Sequence, residues 1–167
     1  MSKTEAHLRE AFAGESQANR KYLAFAAQAE KDGHPAVARL FRAAAQAETV
    51  HAHAHLRVLG GVKDTVTNLQ AAIAGEGHEF QDMYPGFLQE AEAENNAGAV
   101  NSFKFALAVE KVHFDLYSAA LASVQGGKDL AAQDIFVCDV CGHTVWGAAP
   151  EKCPVCGVPH SRFAKVE

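Results

Sequence analysis

The chain has 167 residues, enough for one domain or for one domain and a small module, and 49% of them are hydrophobic. Much of that share is alanine and only 8% is aromatic, a mixture that suits close-packed helices better than sheets. A net charge of −5 excludes the basic footprint of a nucleic-acid binder, and no run approaches the roughly 18 apolar residues of a membrane span. The N-terminus, Met1-Ser2-Lys3-Thr4-Glu5, carries no apolar signal region, so a soluble cytoplasmic protein is expected.

Ser2 and Glu5 form a Ser-x-x-Glu capping box that opens the first predicted helix. Its 3/4-spaced seam is Leu8, Ala11, Glu15, Ala18, Tyr22, Phe25 and Ala29, apolar or aromatic except for Glu15. The helix should stop near Asp32-Gly33, and Pro35 at a first helical position starts the second. That helix has the seam Val37, Phe41, Ala44, Glu48, His51, His55 and Val58, and Gly60-Gly61 ends it. Asp64 or Thr65 caps a third helix, with the seam Val66, Leu69, Ile73, Glu76, Phe80, Met83 and Phe87 and with Glu79 one turn after Glu76. Gly75 and Gly77 weaken this helix by about 1 kcal/mol each relative to alanine, and Pro85 should kink it. After the turn at Asn95-Asn96-Ala97-Gly98, the fourth helix carries Phe103, Leu107, Glu110, Phe114, Tyr117 and Leu121.

Each helix therefore places one glutamate where its core face should be. A lone buried carboxylate costs several kcal/mol unless it is protonated, paired or bound to a metal. In Glu48-Thr-Val-His51 and Glu110-Lys-Val-His113 a histidine follows three residues on, about one turn away on nearly the same face. Glu-x-x-His facing inward is what a carboxylate-bridged metal site between helices requires. The pattern also repeats, with 33 residues from Glu15 to Glu48 and 34 from Glu76 to Glu110, so the chain reads as two related helical hairpins. Any one of these glutamates alone is more simply a solvated surface group; four on seams, two with histidine, are not. The connection between the hairpins is short for a bundle whose halves are joined by a long crossover, and residues 60–68 are expected to run extended across the bundle. Tyr22 and Tyr84 lie seven and eight residues from Glu15 and Glu76, so each either points near the site or packs in the core. His53 is expected in solvent and His55 packed or beside the ligands; His7, His34, His78, His143 and His160 are expected at the surface.

Residues 126–134 break the pattern as a linker. Cys138-Asp-Val-Cys141-Gly142 and Cys153-Pro-Val-Cys156-Gly157 follow, and all four cysteines of the chain lie in these two knuckles. Glycine after each Cys-x-x-Cys allows a positive backbone angle and lets backbone N–H groups point at the sulfurs. With Phe136, Trp146 and Phe163 as its large aromatic residues, this module is too small to fold by burial alone, and a tetrahedral metal must contribute. The spacing points to a metal without choosing between iron and zinc.

A carboxylate bundle followed by a short four-cysteine module resembles rubrerythrin over essentially the whole chain. The matching segments are Ala13-Gly14-Glu15-Ser16, Glu48-Thr-Val-His51, Gly75-Glu76-Gly-His-Glu79 with Met83-Tyr84-Pro85, Glu110-Lys-Val-His113 and the two knuckles. The resemblance implies a ferritin-like four-helix bundle over residues 1–125, the linker 126–134, and a rubredoxin-like β module over 135–167. It implies two iron ions in the bundle, one iron (alternatively zinc) on Cys138, Cys141, Cys153 and Cys156, and a peroxidase that reduces hydrogen peroxide to water in oxidative-stress defence. By the same resemblance Glu48 and Glu110 bridge the irons, Glu15, Glu76 and His113 are terminal ligands, and Glu79 and His51 exchange on one iron as its redox state changes.

Charge counting agrees with exchange. Five carboxylates carry −5, so two ferrous ions leave −1 and two ferric ions leave +1, and Glu79 can offset the oxidised state where neutral His51 cannot. Gly77 between Glu76 and Glu79, and the run His51-Ala-His53-Ala-His55, depart from the family pattern. The alternatives are a ferroxidase of the ferritin type, or a binding bundle with a structural zinc ribbon. Tyr22 and Tyr84 are candidates to hydrogen-bond the bridging carboxylates or to donate protons, and an external rubredoxin or flavoprotein reductase is the expected electron donor. From Glu110 to Gln125 is 15 residues, about 22 Å of helix, so the module's metal is expected farther than that from its own bundle site, and a head-to-tail homodimer is expected to bring it to a partner's.

Overall fold

The first helix, α1 (Lys3–Lys31), begins where the Ser2 hydroxyl accepts the Glu5 N–H at 3.1 Å, while the Glu5 carboxylate pairs with Arg9 at 2.9 Å. It ends at Asp32, followed by Gly33 at a φ of 80°. Pro35 opens α2 (Pro35–Val58), and Gly60 in the left-handed region closes it. The interior of this hairpin is made of small residues: Ala26, Ala29, Ala38, Ala45 and Ala52 are buried, which lets the two helices approach closely. Asn19 ties them by donating to the Ala45 carbonyl (2.7 Å) and to the Thr49 hydroxyl (2.8 Å). Phe25 and Phe41 meet edge to face at 5.6 Å.

The computed structural model describes residues 2–167, and the chain divides into two compact units, one ending at Lys63 and one spanning Asp64–Glu167. In the second unit, Asp64 caps α3 (Thr65–His78) by accepting the Thr67 N–H at 3.0 Å. The expected third helix is not one kinked helix. It runs as α3, a π-helical turn over Glu79–Met83, and then α4 (Tyr84–Ala93). Pro85 lies in the first turn of α4, where its missing N–H costs nothing, and the register change precedes it: the Tyr84 N–H donates to the Glu79 carbonyl, five residues back. Asn96 caps α5 (Ala97–Gln125) on the Ala99 N–H at 3.1 Å. Gly77 is buried because a Cβ there would sit 3.3 Å from the Phe114 ring, so glycine sets the distance between α3 and α5.

After α5 the chain reverses. The Ser123 hydroxyl donates to the carbonyls of Lys128 (3.3 Å) and Asp129 (3.1 Å), with Gly127 at a φ of 73°. The module is a three-stranded antiparallel sheet of order β2-β1-β3, formed by β1 (Ile135–Cys138), β2 (Thr144–Trp146) and β3 (Phe163–Val166). A mainly helical chain with a small C-terminal four-cysteine β module is the expected architecture. No helix among the described residues is long and apolar enough to cross a membrane.

Candidate metal centres

Each unit gathers one glutamate–glutamate–histidine triad. In the first, Glu48 lies 2.9 Å and Glu15 4.0 Å from His51 Nδ1. In the second, Glu110 lies 2.8 Å and Glu76 3.9 Å from His113 Nδ1. The internal repeat of the sequence is thus a repeat of geometry to a tenth of an ångström. Within each triad one donor atom per residue lies within 4.8 Å of the others. The triads differ in cover: the His51 side chain is 55% exposed and that of His113 27%.

The carboxylates of the second triad are crowded. Burial, the Glu110 hydrogen bond and charge, and the Glu79 charge together push the Glu76 carboxyl up to about 7. A cation placed among these oxygens relieves that repulsion, so the donor set fits a divalent metal. Glu79 itself lies in the π turn and is not drawn into the triad, although its charge reaches Glu76 and Tyr84. Burial first, and then the charges of Glu79, Glu110 and Glu76, raise the Tyr84 phenol above its ordinary value, so Tyr84 faces these carboxylates in its protonated form. Tyr22 packs with Phe25 (6.3 Å) and Phe41 (6.2 Å), an aromatic cluster on the α1–α2 hairpin.

The cysteines form the third cluster. Cys138 and Cys156 sulfurs are 3.7 Å apart, and those of Cys141 and Cys153 are 3.5 Å apart. A metal bound tetrahedrally at about 2.3 Å to each sulfur puts the sulfurs about 3.8 Å apart, so the four thiols fit one ion. Gly142 and Gly157 adopt φ of 82° and 76°, as the knuckles require. Burial pushes the Cys153 thiol up, but N–H groups of Cys156 and Val155 and the neighbouring thiols outweigh it and leave it at about 7. The His143 N–H and the Val158 N–H point in the same way at Cys141 and Cys156, whose thiols burial raises.

Three features were not expected from the sequence. The module does not lie beyond the end of α5: Thr144 Oγ1 is 2.9 Å from His113 Nε2 of the same chain, in place of a separation above about 22 Å. The reversal pinned by Ser123 is the reason. His143, expected at the surface, is half-buried against Phe163, and burial and then the His113 charge lower its pKa. The third is the π turn at Glu79. One signal for the docking was present, since Val109, Leu116 and Ala120 form a second apolar stripe on α5, outside the seam of Glu110. Val109 is buried, a Cβ added at Gly142 would lie 3.7 Å from it, and Leu116 and Ala120 line the cavity of about 310 Å³ between α5 and the module.

Residues 7–121 match the family model for rubrerythrin, and residues 136–164 match that for the rubredoxin-like domain of rubrerythrin. The chain belongs to the rubrerythrin family. Among curated relatives, rubrerythrin-2 of Clostridium acetobutylicum is 36% identical, covering 93% of this chain and 92% of its own. Nigerythrin of Nitratidesulfovibrio vulgaris is also 36% identical, over 94% of this chain and 83% of its own. The solved structure of the fully reduced, all-ferrous state of nigerythrin aligns with a TM-score of 0.59 at 32% identity, covering 99% of this chain and 88% of that one. The rubrerythrin fold, with a ferritin-like helical part and a rubredoxin-like module, is therefore that of this chain, and its family is one of di-iron oxidoreductases.

Proposed function

We propose that this rubrerythrin is a peroxidase of oxidative-stress defence that reduces hydrogen peroxide to two waters with two electrons and two protons. The observation that carries this reading is the presence of two matched carboxylate–histidine triads and a tetrathiolate cluster on one chain. Glu15, Glu48, His51, Glu76, Glu79, Glu110 and His113 would hold two iron ions, with Glu48 and Glu110 as bridges. Iron there supplies the two electrons, one from each ion. Glu79 stands one turn from Glu76 as a spare anion for the oxidised state, and exposed His51 is the neutral ligand that replaces it on reduction. Tyr84, held protonated beside three carboxylates, supplies a hydrogen bond or proton to the site, with Tyr22 as the corresponding phenol of the first hairpin.

Cys138, Cys141, Cys153 and Cys156 would hold one further iron, refilled by an external rubredoxin or flavoprotein reductase. That attached one-electron centre argues against a ferritin-type ferroxidase, which needs no reductant during oxidation. We take residues 1–125 as the bundle, 126–134 as the linker and 135–167 as the module, acting in the cytoplasm where thiols stay reduced. A homodimer is the proposed assembly, because the seam residues Phe25, Val37 and Val58 are exposed on the first hairpin and a second copy would cover them. The test is metal analysis followed by anaerobic peroxide titration of the reduced protein. Three irons per chain and stoichiometric peroxide loss are expected; zinc at the cysteines with an inert bundle overturns the reading.

A further inference from the structure

We propose that the cavity between α5 and the β1–β2 hairpin binds a small neutral aromatic molecule that carries one hydroxyl, a ligand of the phenol class. The walls come from five parts of the second unit: α3, α5, the connecting stretch, β1 and β2. Leu69, Leu116, Ala120, Leu130 and Ile135 supply aliphatic surface, and Tyr117 and Trp146 supply two rings. His113 and Thr144 complete the lining; among the described residues no Asp, Glu, Lys or Arg contributes to it. A charged ligand would lose its hydration there with no opposite charge to replace it, so the occupant is neutral. Size sets the next limit. An apolar cavity of about 150 Å³ takes one benzene ring, and the cavity of about 310 Å³ here holds one substituted ring with room left over. Mostly apolar walls with a few polar groups are the pattern of small-molecule sites.

The polar groups of the lining decide the substituent. Both nitrogens of His113 are occupied, Nδ1 with Glu110 at 2.8 Å and Nε2 with Thr144 at 2.9 Å. Thr144 also donates to the Gly142 carbonyl at 3.1 Å. Two groups remain. Among the described residues neither the Tyr117 hydroxyl nor the Trp146 indole N–H has a hydrogen-bond partner in the protein. The indole N–H only donates, so the ligand must present an acceptor; the Tyr117 hydroxyl can donate or accept. A single phenolic hydroxyl answers both, accepting from Trp146 and donating to Tyr117, while its ring packs against theirs. Tyr117 is 38% exposed, which leaves the cavity a way in from solvent. Because His113 already turns Nδ1 to the carboxylates, a neutral ligand here does not compete for a metal at the second triad, and the proposal stands apart from the peroxidase reading.

The experiment titrates 4-fluorophenol into the full chain with zinc in its cysteine site. Fluorine-19 NMR reads binding, and the fluorescence of Trp146, the single tryptophan of the chain, reports where the probe sits. Saturable one-to-one binding with a dissociation constant below about 1 mM is expected, with a matching change in Trp146 emission. Fluorobenzene, which lacks the hydroxyl, should bind at least about fivefold more weakly, the factor one net hydrogen bond supplies. The anion 4-fluorobenzoate should not saturate. Trp146→Phe keeps a ring and removes the donor, and should weaken 4-fluorophenol by a similar factor in the NMR titration. Ala120→Phe fills the cavity and should abolish binding; if it does not fold, Leu130→Phe, in the connecting stretch outside any helix or strand, serves instead. No saturable binding to wild type overturns the proposal and makes the cavity a packing gap. Binding that survives the filling variant, or that leaves Trp146 emission unchanged, places the probe elsewhere and overturns it too. Equal affinity for fluorobenzene, or undiminished binding in Trp146→Phe, overturns the hydroxyl requirement, and saturable binding of 4-fluorobenzoate overturns the choice of a neutral ligand.

Discussion

Replacing Glu110 by alanine isolates the bundle site from the rest of the chain. Glu110 contacts His113 at 2.8 Å and hydrogen-bonds Glu76, so its removal takes away the carboxylate shared by the second triad. Alanine is the best helix former and α5 is otherwise unchanged, so the metal-free variant should fold. The loss appears on adding metal. A ligand at about 100 times its dissociation constant stabilises the native state by about 2.7 kcal/mol, and for a chain of this size each kcal/mol moves Tm by about 2–4 °C. Wild-type protein with its cysteine site already filled should thus gain about 5–11 °C when ferrous or cobaltous ion is added, and Glu110→Ala should gain almost none. The assay is thermal melting followed by helical circular dichroism, with tetrathiolate absorbance as the control for an intact module. A variant that keeps the full metal-dependent shift and two bundle ions would show that Glu110 is not a ligand.

Glu79→Gln should retain bundle metal while slowing peroxide turnover, since a neutral amide cannot offset the diferric charge; unchanged turnover in a steady-state assay removes Glu79 from the exchange. Gly77→Ala adds a methyl 3.3 Å from the Phe114 ring, and this clash should cancel the roughly 1 kcal/mol of intrinsic helix gain; a melt raised by several degrees would deny the close approach of α3 and α5. Gly142→Ala places a side chain at a φ of 82°, at a cost of roughly 1–2 kcal/mol, and should weaken metal retention by the cysteines against a chelator without altering bundle loading.

What could be read in advance followed from periodicity and capping. Glu15, Glu48, Glu76 and Glu110 were visible as polar intruders on 3/4 seams, and Ser2, Pro35 and Asp64 as helix starts, because each is a local signal within a few residues. The cysteine knuckles were visible for the same reason, down to the glycines that now stand at positive φ. The π turn was not, because a heptad register carries through Pro85 as easily as a register change does, and only the hydrogen bond from Tyr84 to Glu79 distinguishes them. The docking of the module was missed because Ser123, Lys128 and Asp129 act as a reversal only through contacts that no spacing rule encodes. His143 was misplaced with it, since its burial depends on that docking and on Phe163.

The two triads show how a repeated sequence acquires unequal halves. Spacing within each hairpin sets donor distances, and these agree: 2.9 and 4.0 Å in one, 2.8 and 3.9 Å in the other. Nothing in Glu-x-x-His sets how far its histidine is exposed. That difference comes from what lies outside the repeat. On α5 the stripe of Val109 and Leu116 is covered by the module, which brings Thr144 to the far nitrogen of His113 and reduces its exposure to 27%. On α2 the equivalent position leaves His51 at 55%, with its near nitrogen on Glu48. The same motif thus stands in two environments on one chain, one copy covered by the module and the other left open.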